Sequence, residues 1–124
     1  MEKEEVYQAF GELLYAVAIA DGAVQQEEVD KLKQLLENHE WAKEIQWSFD
    51  YESKNKTGIE EAYKKALDKM VEYGPFKDYI FLFEAMEEVA LAFDGIVLEE
   101  RVLIDRFKSE LIAKFQEDNR FAGY

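Results

Sequence analysis

Ala18-Ile19-Ala20-Asp21-Gly22-Ala23-Val24-Gln25-Gln26-Glu27-Glu28 is the stretch on which the fold turns. An apolar run, Leu13 to Ala20, leads into Asp-Gly, and an acidic segment follows. Glycine accepts the left-handed backbone of a helix end. Acidic side chains suit the positive end of the next helix dipole. The stretch therefore reads as helix, elbow, helix. Leu91-Ala92-Phe93-Asp94-Gly95-Ile96-Val97, followed by Glu99-Glu100, repeats the pattern. Each copy ends an apolar helix, places Val two residues after Gly and opens an acidic helix start. Two such hairpins can pack about a pseudo-twofold axis, share one core and set their acidic elbows side by side.

The rest of the chain extends outward from these elbows. Residues 3–20 predict a helix with Val6, Phe10, Leu13, Leu14 and Val17 on one stripe. Gly11 lies inside it, at a cost of about 1 kcal/mol relative to Ala, which close packing of another helix would explain. A second helix over 26–38 turns Val29, Leu32, Leu35 and Leu36 inward and makes a hairpin with the first. Trp41, Ile45, Trp47, Phe49 and Tyr51 crowd the middle segment, where a short helix near 40–48 and then a loop are expected. Thr57-Gly58-Ile59-Glu60 has the Ser/Thr-x-x-Glu form of a capping box. It introduces a helix over 58–73. Gly74-Pro75 separates this helix from one over 75–93, with Phe76, Ile80, Phe83, Ala90 and Phe93 on its apolar side. A last helix over 98–117 faces Ile104, Phe107, Leu111 and Phe115 inward, and Asp118 to Tyr124 are expected to fray. The expected architecture is an all-α bundle of about six helices in one domain, with two pseudo-repeated hairpins and an inserted helix pair.

Composition narrows the function. The 124 residues are the size of one domain and bury roughly two-thirds of the unfolded surface on folding. Fifteen Lys and Arg against 28 Asp and Glu give a net charge of −13. Nucleic acid binding needs basic groups that displace counterions, so it is rejected, and anionic membrane surfaces are disfavoured alike. Cations and basic protein surfaces are favoured. With no Cys, thiol catalysis and Cys-ligated zinc are excluded, which fits a reducing cytoplasm. Met1-Glu2-Lys3-Glu4-Glu5 lacks a basic region followed by an apolar core, so no signal peptide is expected. No apolar run approaches the roughly 20 residues of a membrane helix.

The first elbow, Ala18-Ile19-Ala20-Asp21-Gly22-Ala23-Val24-Gln25-Gln26-Glu27-Glu28, resembles the TerB-like family. That family is named from bacterial tellurite-resistance operons and also occurs in DnaJ-like membrane-anchored co-chaperones. Its motif is Ala-x-Ala-Asp-Gly-x-(apolar)-x-x-x-Glu at the joint of a helical hairpin. The resemblance implies a compact helical bundle, a role in stress-response assemblies and paired acidic positions that hold a divalent metal. These carry over to Asp21 and Glu28, and more distantly to Asp94. Gln25 and Leu98 stand where the family often has Ser or Thr. Counted from Asp-Gly, the second copy has Arg101 in the place of Glu28, with Glu99 and Glu100 arriving early.

The elbow is not a calcium EF-hand. Gly22, Val24 and Glu28 fit that loop's spacing, but Val17 and Ile19 would fall on its first and third ligand positions. A metal would instead draw carboxylates from both hairpins: Asp21, Glu28, Asp94, Glu99 and Glu100, hard oxygen donors suited to Ca²⁺, Mg²⁺ or Mn²⁺. The alternative is that the Asp residues stabilise turns and the Glu residues complement helix dipoles. No catalytic residues are expected. The single histidine, His39, is expected to be exposed beside Asn38 and Glu40, and no phosphate-binding glycine loop is present. A carboxylate-dependent hydrolase is the weakest reading. Trp47, Phe49 and Tyr51 either cover the end of the bundle or form a partner-binding patch. The expected partner is a protein with a basic surface, and a homodimer is compatible with the sequence.

Overall fold

The computed structural model describes residues 2–117; the expected fraying of Asp118 to Tyr124 lies outside them. The chain forms α1 (Lys3–Ile19), α2 (Gln26–Leu36), α3 (Ala42–Asn55), α4 (Ile59–Tyr73), α5 (Tyr79–Leu91) and α6 (Leu98–Glu117), with no strand among the described residues. The architecture is an all-α bundle of six helices. α1 is its axis: Phe10, Leu13, Leu14 and Val17 are fully buried, and α3 and α4 pack along it. Gly11 makes the α1–α3 approach feasible. A Cβ there would collide with the Ile45 carbonyl and lie 2.8 Å from the Ser48 Cβ, so the glycine's helix penalty is offset by close packing.

The two elbow pairs interlock. α2 packs chiefly on α5 of the second pair rather than on α1, so the first hairpin is splayed. α5 in turn packs on α1 and on α6. This exchange of partners brings the two elbows together.

Three local expectations are corrected. α3 does not stop near residue 48 but continues to Asn55. Its buried stripe is Ile45, Ser48, Phe49 and Glu52; two polar members disguised the helical period. The Thr57–Glu60 capping box does not form. Gly58 is the N-cap with no side-chain bond, the Thr57 carbonyl accepts from the Tyr15 hydroxyl at 2.7 Å, and Glu60 pairs with Arg106 at 2.8 Å. α5 begins at Tyr79, and its inward stripe is Tyr79, Leu82, Ala85, Met86, Val89 and Ala90. Ile80 and Phe93 are exposed instead. That helix is apolar nearly all round, so its period left the inward face ambiguous.

Candidate functional site

Both elbows are built on left-handed backbone. Gly22 has φ +112°, and its N–H bonds the Ile19 carbonyl at 2.8 Å. At the second elbow Asp94 has φ +54° and Gly95 φ +84°. Asp and Gly tolerate this region where other residues are strained. After each elbow the third residue of the next helix is a glutamate: Glu28 in α2 and Glu100 in α6. Each reaches back to cap its own helix. Glu28 Oε1 accepts from the Gln25 N–H at 2.8 Å, and Glu100 Oε1 from the Val97 N–H at 3.1 Å.

These stations show why spacing from Asp-Gly misaligned the copies. The second elbow is one residue shorter, so Glu100, not Arg101, is the counterpart of Glu28. Arg101 turns away and forms a two-pronged pair with Glu87, both bonds 2.7 Å.

The two glutamates meet. Each is 1% exposed, and their side chains hydrogen-bond to one another. Two carboxylates can share such a bond only if one keeps its proton. Burial, the Glu100 carboxylate and the charge of Asp21 push the Glu28 carboxyl up to about 8, against the lowering effect of the Gln25 N–H. Burial also raises Glu100, as do Asp21 and Glu99, while the Val97 N–H and the bond from Glu28 oppose them. Both carboxyls are thus held above the ordinary glutamate range, and the pair keeps one proton between them. Among the described residues no Lys, Arg or His lies within 4 Å of either carboxylate.

The wider constellation of five carboxylates does not close. Asp21 is exposed and acts on the pair through its charge, as Glu99 acts on Glu100. Asp94 is exposed at the left-handed corner of its turn. Among the described residues no three His, Cys, Asp or Glu side chains converge closely enough to hold a metal ion. What the elbows assemble is a pair with an acidic rim. Two carboxylates and water are a usual Mg²⁺ or Mn²⁺ complement, whereas Ca²⁺ takes six to eight oxygens.

A second buried acidic pair carries no signal in the sequence. Glu12 of α1 and Glu52 of α3 are 5% and 1% exposed. Lys65 of α4 reaches Glu52 at 3.1 Å and Glu12 at 3.4 Å, and Lys69 reaches Glu12 at 3.1 Å. Their spacing is that of an ordinary solvated helix face, so only the packing of three helices reveals them.

His39 is not exposed as expected. Its Nδ1 accepts from the Trp41 N–H at 2.9 Å, which leaves the proton on Nε2, 3.0 Å from Asp78 Oδ2. The Tyr7 hydroxyl donates to the same oxygen at 2.7 Å, and Trp41 stacks on Tyr7. The ring-rich segment is divided. Phe49 is buried at 1% and belongs to the core, not to a partner-binding patch, while Trp47 and Tyr51 are 58% and 50% exposed.

Among the described residues no helix is long and apolar enough to cross a membrane. Compared with family models, curated proteins and solved structures, the chain matches none. Among the described residues the fold and site define an all-α bundle of six helices with two facing acidic elbows.

Proposed function

We propose that this chain is a non-enzymatic, TerB-like binding module that works in the cytoplasm as a scaffold in a bacterial stress-response assembly of the tellurite-resistance type. Its ligand-responsive element is the Glu28–Glu100 pair, which exchanges its shared proton for a divalent cation. The observation that carries the reading is the pair itself: two buried carboxylates from different hairpins, facing each other with no basic side chain within 4 Å among the described residues. Burying such charges is costly unless something neutralises them. A shared proton removes one of the two charges in the metal-free state. A hard cation would remove both by joining α2 to α6, with Asp21 at the rim as a further acid whose charge reaches both glutamates. The acidic motif at the first elbow supports the TerB-like reading, and the net charge of −13 supports a basic protein partner.

Thermal unfolding with Mg²⁺, Mn²⁺ or Ca²⁺ tests the cation. An ion at about 100 times its dissociation constant adds roughly 2.7 kcal/mol. The shift is expected in the wild type and lost in Glu28→Gln. Absence of any shift, or an equal shift in the variant, defeats the reading.

A further inference from the structure

The outer face of α3 carries a feature that the elbows do not use. Trp47 and Tyr51 lie one turn apart on the side opposite Ile45, Phe49 and Glu52. Their rings stack on each other, with centroids 5.3 Å apart and planes 26° from parallel. Each ring restrains the other, so the pair is pre-organised although half of each lies in solvent. Beside it, Trp47 lines an open notch of about 480 Å³ together with Glu4 and Gln8 of α1 and Lys43 and Glu44 of α3. Two carboxylates there face one ammonium. Asp50, three residues beyond Trp47, adds a further exposed acid to the same helix. The local charge has the sign of the whole chain, −13.

An indole face attracts a cation through its ring quadrupole, and tryptophan does so best among the aromatics. Flanking carboxylates add charge-assisted hydrogen bonds. A guanidinium suits both, because it is planar, stacks on rings and presents a fork of N–H donors. An ammonium can supply only a point charge.

We propose that the Trp47 notch is a docking site for an arginine side chain carried on a basic segment of a protein partner, the guanidinium lying on the exposed indole and facing Glu4 and Glu44. This rests on reading the domain as a binding module but not on the elbow cation. The site chooses arginine over lysine, and Tyr51 acts by holding the indole in place.

The test titrates the full chain with a short blocked peptide of alternating arginine and glycine, and with its lysine counterpart, by calorimetry at physiological ionic strength. There the Debye length is about 8 Å, and long-range attraction to the acidic surface is damped. The arginine peptide is expected to bind wild type about tenfold more tightly than Trp47→Ala, which has the same net charge. Glu44→Gln is expected to weaken binding several-fold, and the lysine peptide to bind several-fold less tightly. Equal affinity for wild type and Trp47→Ala, equal affinity for the two peptides, or no binding overturns the proposal. The thermal response to Mg²⁺ is read in the same Trp47→Ala protein. A preserved response with unchanged peptide binding sinks this site alone, whereas a missing response in wild type sinks the elbow reading alone.

Discussion

Two pairs of glutamates are buried among the described residues of this bundle, and their charge is answered in different ways. Glu12 and Glu52 lie against α4, whose Lys65 and Lys69 contact them at 3.1 to 3.4 Å. Glu28 and Glu100 lie against each other, with no basic side chain within 4 Å among the described residues. The first pair is complete within the chain. It links α1, α3 and α4 and has no need of an external ion. The second pair sheds one of its two charges by holding a proton, or both by admitting a divalent cation. Acid content alone does not single out a candidate site; the lack of a built-in counter-charge among the described residues does.

The largest effect comes from breaking the complete pair. Lys65→Met with Lys69→Met leaves Glu12 and Glu52 buried and unanswered. Urea denaturation should show a loss of about 3 kcal/mol, the low end for a broken buried pair, because both lysines remain partly exposed.

Glu28→Gln should act in the opposite sense. The raised Glu28 carboxyl means that the folded state binds a proton that the unfolded state has released between about 4.5 and 8. Stability therefore falls as pH rises through that window and levels off above it. Glutamine keeps an oxygen for the Gln25 N–H and an amide donor for Glu100. It should remove this fall, match wild type near the acid end and exceed it at the alkaline end. Melting curves across the window check the slope.

Gly22→Ala should cost about 1 kcal/mol by thermal melt, because its φ of +112° strains any Cβ although the surrounding space is open. Trp47→Ala should leave stability within about 0.5 kcal/mol, since the ring covers no core. A larger loss would make that ring structural and blur the contrast between a site and a scaffold.

The helices were legible where the chain punctuates itself, at Asp21-Gly22, Gly74-Pro75 and Asp94-Gly95. α3 was cut short because Ser48 and Glu52 face inward, and a polar residue on a buried stripe looks like a loop until its partner is known. Ser48 bonds the Gln8 carbonyl and Glu52 bonds Lys65. α5 defeated the period for the opposite reason, with too many apolar residues. At the site, the acidic elbows were visible, but the pairing of Glu28 with Glu100 was hidden by a single-residue difference in loop length. Counting from the helix start recovers it, since capping fixes the third residue of each helix. The lysine-answered pair was not legible at all, because its members come from three helices with no shared motif.

The most direct measurement is a carboxyl-carbon NMR titration of Glu28 with and without Mg²⁺. The expected result is a midpoint near 8 in the metal-free protein, moving to lower pH as the cation displaces the proton. A Glu28 carboxyl that titrates in the ordinary glutamate range, unmoved by Mg²⁺, would contradict it.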